Sequence, residues 1–190
     1  MIEILEPDLL RKLLRYEPET GRLFWLPRGN EFFNLGRDCV AWNARFANRE
    51  AFTAGDRLGY KVGNILSNRC LAHRVIWAMQ TGAHAVSDID HIDRDPTNNK
   101  WSNLRLATRS ENQANRASSR NSTSKYLGVY WHKRDKRWEA SIQRAGVREK
   151  LGYFHCELEA ARRYDIAAME VHGSFANLNF PKVTAQGMGL

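Results

Sequence analysis

Cysteine is scarce in this chain, and the little there is cannot form a framework. Cys39, Cys70 and Cys156 are odd in number, far apart and without a C-x-x-C spacing among 190 residues. That excludes a disulfide scaffold and argues against a structural zinc. They read as reduced thiols of a cytoplasmic protein. Long apolar runs are missing as well: no stretch approaches the roughly 18 apolar residues of a membrane span, and Met1 to Gly21 hold no apolar core suited to a signal peptide. The expectation is an intracellular, soluble chain with no membrane partner. Acidic residues are in deficit, with 21 Asp and Glu against 29 Lys and Arg, a formal charge of +8 and a pI near 9.7. The rest of the composition is ordinary, 43% apolar and 26% charged, which excludes a disordered or fibrous protein.

The basic surplus is local. From Arg116 to Lys150 there are ten basic residues against three acidic ones, +7 of the total +8 in 35 positions. Clustered cations of this kind fit a polyanion, because each contact releases a counterion from a phosphate backbone. A merely solvated basic face is the plainer explanation of any single Lys or Arg among them.

Periodicity divides the chain. Leu9, Leu10, Leu13 and Leu14 have helical spacing; a turn at 17–21 leads to an apolar strand, Leu23-Phe24-Trp25-Leu26. Residues 27–58 contain Trp42, Phe46 and Phe52 without a clear period, and their role is open. A hairpin is predicted over Gly59–Leu66 and Arg69–Leu71, then a helix over Ala72–Gln80 stopped by Gly82. Residues 117–123 read as a polar linker. Beyond it three short strands alternate with turns at 133–136 and 144–146. A helix over Glu157–His172 follows, its stripe made by Leu158, Ala161, Tyr164, Ala168 and Val171, with Gly173 as its end.

The stretch Asp88-Ile89-Asp90-His91-Ile92-Asp93 and its sequel carry the chemistry. A carboxylate beside an imidazole at a strand end is followed by a turn-rich loop, a second strand near Asn103-Leu104-Arg105-Leu106, and a helix opening at Thr108 with Glu111 as a capping box. Asp90-His91, Asn99, Asn103-Leu104-Arg105, Thr108 and Asn112 together resemble the H-N-H endonucleases of ββα-metal (His-Me finger) fold, particularly the phage and intron-homing group. The intervals of 12 from His91 to Asn103 and 9 from Asn103 to Asn112 match. Alone, an Asp-His pair more often marks a surface turn; the joint pattern of residue types and spacings is what points to a catalyst.

The resemblance implies a metal-dependent DNA endonuclease. His91 would be the general base, with Asp90 and Asn112 holding one Mg²⁺ or Mn²⁺ and no zinc. Asn103 would brace the loop that aims the imidazole, and Arg109 would meet a phosphate. Asn98 and Asn99 are read as turning the chain. His73 resembles a histidine found upstream in the group, and is a secondary candidate, either a packed ring or a phosphate contact.

Residues 124–181 resemble the plant ethylene-response-factor (APETALA-type) DNA-binding domain. The landmarks are Tyr126, Gly128-Val129, Trp138, Ile142, Leu151-Gly152, Phe154, Glu159-Ala160-Ala161, Tyr164-Asp165, Ala167-Ala168, Gly173 and Ala176 to Pro181. By that resemblance the sheet enters the major groove of double-stranded DNA. Tyr130, His132 and Arg134 would face DNA from the first strand, with Arg137 beside them, Ser141 and Gln143 from the second, and Arg148 and Lys150 from the third. Where the plant domains have Arg at positions 127, 130 and 143 and Glu at 141, this chain has Leu127, Tyr130, Gln143 and Ser141, so the plant target sequence does not carry over.

The expected fold class is therefore α+β: a ββα-metal core in a first domain, 1–116, and a three-stranded antiparallel sheet packed on one helix in a second, 124–181, with 182–190 as a tail. The expected protein is a monomeric homing-type nuclease acting in the cytoplasm, that of a bacterial host if it is encoded by a phage. A non-catalytic DNA-binding regulator with a vestigial H-N-H unit is the alternative, and basic charge alone leaves an RNA-processing role open.

Overall fold

The computed structural model describes residues 5–114, 122–144 and 146–180. Helices and small antiparallel sheets alternate along the chain, and its internal contacts divide it into two compact units, Met1–Thr108 and Arg109–Leu190. The division falls a few residues before the expected end of the first domain at Arg116. The expected linker lies mostly outside the described residues, as does the tail.

The first unit opens with α1 (Pro7–Leu13), seven residues with Pro7 at its start, where a missing N–H costs nothing. So short a helix is stable only when packed, and Leu10 and Leu13 are buried against the core. Leu14 has helical spacing but opens strand β1 (Leu14–Glu17) instead. Its side chain is buried there too, so both conformations satisfy it and its spacing could not distinguish them. β1 pairs with β2 (Arg22–Trp25), and β2 with β3 (Glu50–Ala51). Between β2 and β3 stands α2 (Gly36–Phe46), which buries only Cys39. The hairpin prediction holds as β5 (Lys61–Ile65) and β6 (Asn68–Leu71), joined on one edge by β4 (Ala54–Gly55).

Helix α3 (Ala72–Thr81) follows as expected and ends at Gly82. Val75, Ile76, Ala78 and Met79 make the centre of a core that includes Leu10, Leu13, Leu14, Leu23, Ile65, Ile89 and Leu104. Arg11 on α1 donates from Nε and Nη2 to the Met79 carbonyl, a cation at the C-terminal end of α3 where the helix dipole favours it. The last pair of the unit is β7 (Asp88–His91) with β8 (Leu104–Ala107).

The second unit begins with α4 (Arg109–Ala114). Strands β9 (Val129–His132), β10 (Arg137–Arg144) and β11 (Val147–Phe154) form a sheet in the order β11-β10-β9, and α5 (Glu157–His172) packs on one face. Alternation on β10 sends Trp138, Ala140 and Ile142 to the helix side. The helix answers with Ala160, Ala161, Tyr164, Ala167 and Ala168; Leu158, expected in that stripe, is exposed because it lies about a third of a turn away from its centre. Gly128 is required where it stands: at φ +72°, a Cβ would lie 2.0 Å from the Tyr164 ring. The closing segment is locked by buried Asp165, which accepts from Asn179 N and Nδ2 and from Phe180 N, while the Asn179 amide brackets the Leu127 backbone. Among the described residues no helix is long and apolar enough to cross a membrane.

Candidate active site

β7 and β8 pair so that Asp90 lies opposite Arg105 and His91 opposite Leu104. Strand alternation turns Asp90 and His91 to opposite faces, yet both are buried, at 4% and 5% exposure. Burying an ion is costly unless it is paired. Asp90 has its partner in Arg105, whose Nε and Nη2 both donate to Oδ2 at 2.8 and 2.7 Å.

His91 ends β7, and the chain leaves it in a tight turn in which Arg94 N donates to the His91 carbonyl. Its Nε2 lies 3.1 Å from Oδ1 of Asn99, which is 1% exposed. The Asn99 Nδ2 donates to the Thr97 carbonyl, which fixes the amide with its oxygen towards the ring. With the amide turned this way, Nε2 is the donor of the pair. Asn99, read from the sequence as a turn residue, is thus the direct partner of His91. Its signal was weak because a contact eight positions away in a loop has no period.

Asn103 sits at the end of a 3-10 turn, Trp101–Asn103, just before β8. Its Nδ2 donates to Asp93 Oδ1 (2.9 Å) and to the Asn98 carbonyl (2.8 Å), and its Oδ1 accepts from Asp93 N (3.0 Å). The side chain therefore ties both ends of the loop between His91 and Asn99. Burial pushes the Asp93 carboxyl up, but the Asp95 N–H and the amides of Asn98 and Asn103 outweigh it and hold it below the ordinary carboxylate range.

The N-terminal hairpin props the same loop. Tyr16 donates from its hydroxyl to the Asn99 carbonyl (2.8 Å), and Trp101 N donates to the Pro18 carbonyl. Gly21, at φ +73°, approaches so closely that a Cβ would meet Asn99 C and Lys100 N at 2.6 Å. On the other side of His91 stand Tyr60, at 5.8 Å between ring centroids, and His73, at 5.3 Å and edge-on. His73 is 5% exposed, and its Nδ1 meets no hydrogen-bond partner among the described residues. Burial first, then the neighbouring His91 and Arg74, push its pKa down to about 4. It is a packed ring, and burial disfavours its charged form.

The expected residues on α4 belong to the second unit: Arg109 is exposed and Asn112 half-buried. Among the described residues there is no group of three or more His, Cys, Asp or Glu able to hold a metal ion.

The sheet face of the second unit away from α5 carries Tyr130, His132, Glu139, Arg148 and Lys150, which with Trp131 line a hollow of about 340 Å³, and alternation puts Arg137 and Gln143 on the same face. Arg134, expected on the first strand, lies in the turn beyond β9, where Asp135 pairs with both Arg134 and His132. Ser141, expected to reach outward, is 4% exposed and lies beneath Arg148, whose Nε donates to its Oγ. Glu139, which the sequence reading passed over although alternation puts it on this face, is buried and draws in two cations, Arg148 at 3.1 Å and Lys150 at 3.8 Å. Arg148 also lies over the Tyr130 ring, and a bond to the Tyr153 hydroxyl, with Glu139 behind it, raises the Lys150 pKa.

Comparison with known proteins places the β7–β8 residues in context. Residues 70–114 match the family model "HNH endonuclease", a span that contains His73, Asp90, His91, Asn99, Asn103, Arg105 and Asn112. The chain carries an HNH endonuclease domain. A mimivirus protein, the uncharacterized HNH endonuclease L560 of Acanthamoeba polyphaga mimivirus, is 35% identical over 123 residues, 64% of this chain and 63% of that protein. Protein 3.8 of Escherichia phage T7 is 33% identical over 88 residues, 46% of this chain and 72% of its own length, and the two belong to one family. Beyond the HNH domain, the AP2-like ethylene-responsive transcription factor TOE2 of Arabidopsis thaliana is 40% identical over 65 residues, 34% of this chain but 13% of that protein. The chain thus spans less than two thirds of the mimivirus and plant relatives it matches.

Proposed function

We propose that this chain is a metal-dependent endonuclease that hydrolyses phosphodiester bonds of duplex DNA, of the homing type, with its second unit gripping the duplex as an AP2-like module. The observation that carries this reading is the buried His91, held by Asn99 through Nε2 inside the HNH match.

Hydrolysis needs a base for the attacking water and a fixed line of approach. His91 takes the proton from water, and the Asn99 oxygen steadies the imidazolium that results. Asn103 holds the loop that carries Asn99, and the Tyr16–Gly21 hairpin holds it from behind. Asp90 is a hard oxygen donor, of the type Mg²⁺ or Mn²⁺ accepts when water and phosphate complete its shell, and the HNH resemblance would make the Asn112 amide the second donor. The ion would supply Lewis-acid stabilisation of the leaving oxygen. Arg105 pairs with the Asp90 carboxylate through two donors and fixes its orientation. Arg109 is assigned to a substrate phosphate.

The test is cleavage of supercoiled plasmid with Mg²⁺, with EDTA and His91→Ala as controls. Nicking that needs metal and falls at least about 100-fold in His91→Ala is expected. Tight duplex binding without any metal-dependent cutting would leave the chain a regulator instead.

A further inference from the structure

The segment 27–58 has a site of its own, apart from His91. Trp25 on β2, Trp42 and Phe46 on α2, and the β5–β6 turn enclose a hollow of about 650 Å³, within the range of small-ligand pockets. Helix α2 buries only Cys39, while Trp42 and Phe46, one turn apart, line this hollow and stay half-buried. Arg28 stands among them, its guanidinium 3.9 Å from the Trp42 ring centre and 5.1 Å from that of Trp25.

The Arg28 backbone is clamped. Asn43 Oδ1 accepts from Arg28 N, Asn43 Nδ2 donates to Arg28 O, and Cys39 Sγ donates to the same carbonyl. Its Nε is buried without a hydrogen-bond partner among the described residues. The lip is strained: Leu66 and Ser67 form the two-residue hairpin turn with φ of 45° and 68°, a conformation that usually calls for Asn and Gly.

We propose that this hollow takes one unpaired base of a DNA strand, packed among Trp25, Phe46 and the Arg28–Trp42 pair, with the adjoining phosphate on Arg28. The proposal rests on the reading of DNA as the substrate. The chemistry selects the ligand. A cationic ligand, the usual guest of an aromatic cage, is refused by Arg28, which already occupies the Trp42 face. A purely apolar guest would leave the buried Arg28 Nε unsatisfied, and a bare anion would leave the half-buried Trp25 and Phe46 rings uncovered. A base with its phosphate satisfies both, since bases stack on indole rings and on guanidinium planes alike. Exposed Asn64 at the rim adds an amide able to meet a base edge.

The experiment measures binding of the full chain in EDTA, so that it is blind to cleavage. Fluorescence anisotropy is followed with a labelled single-stranded oligonucleotide of mixed sequence and with the corresponding duplex. Trp42→Leu and Arg28→Gln are each expected to weaken single-strand binding about 5- to 100-fold while duplex binding stays within about 3-fold, and Trp42→Phe is expected to retain binding. Photo-crosslinking of the unaltered protein to a bromouracil-substituted strand is expected to label peptides holding Trp25 or Trp42, a readout independent of how any variant folds. Unchanged single-strand affinity in both variants, or crosslinks that map elsewhere, would overturn the proposal while leaving duplex binding and the nuclease reading in place. Failure of the unaltered protein to bind either DNA would overturn both.

Discussion

His73 is a histidine that folding keeps uncharged. Its ring is packed between α3, Tyr60 and His91. Its pKa is pushed down from 6.5 to about 4, chiefly by burial. Between those two values the unfolded chain binds more protons than the folded one, so this stabilisation is present above about pH 6.5 and is lost as pH falls towards 4. Between pH 7 and pH 4.5 the loss through this residue is about 2 kcal/mol. Guanidinium unfolding at the two pH values measures it, and His73→Phe, which cannot take up a proton, is expected to flatten the difference by that amount. An equal loss in both proteins would show that the ring is solvated in the folded state. Asp90 solves the same problem of burial in the opposite way: it is placed beside Arg105 as an ion pair.

Among the elements, the hairpin of β1 and β2 matters to the site although neither strand carries a candidate catalytic group. Gly21 meets the Asn99–Lys100 peptide at a distance no Cβ could share. Gly21→Ala therefore has to push this loop outward, and with it the Asn99 oxygen that steadies His91. A displacement of about 1 Å in a positioning group can cost on the order of 100-fold in rate. Gly21→Ala is expected to slow plasmid nicking by about 10- to 100-fold while the half-saturating DNA concentration changes little; a full rate would separate the hairpin from the site. This support was not legible in the sequence. The hairpin over 61–71, α3, the paired strands around Asp90 and Leu104, and the C-terminal sheet with its helix were legible, because each has a period of two or near four, or a landmark with fixed spacing. β1 was hidden because Leu14 continues the helical spacing of Leu10 and Leu13. α2 was hidden because a helix that buries one residue shows no apolar stripe. The Asn99 to His91 bond and the Glu139 cluster depend on loop closure and on reach across strands, which no local pattern encodes.

At the scale of the whole chain, charge is distributed as unevenly as structure. With +7 of its +8 in 116–150, the rest of the chain is nearly neutral, so under the proposed function attraction to a polyanion falls to the second unit and bond-breaking to the HNH domain. Glu139 sharpens this: a buried carboxylate beneath Arg148 and Lys150 holds two cations on one face at some cost to net charge. If that face lies on DNA phosphates, each cation contributes about −0.9 to the slope of log affinity against log salt. Replacing Arg148 and Lys150 together by Gln is then expected to make the slope shallower by about 2. The same change should raise the half-saturating DNA concentration for cleavage and leave the rate at saturation within a few-fold, because neither residue is assigned a part in the chemistry. Binding isotherms at several salt concentrations, read beside cleavage kinetics, test both halves. An unchanged slope would move the DNA-bearing surface off this sheet, and a fall in saturated rate with unchanged half-saturation would mean that these cations act on the chemistry and not on the grip.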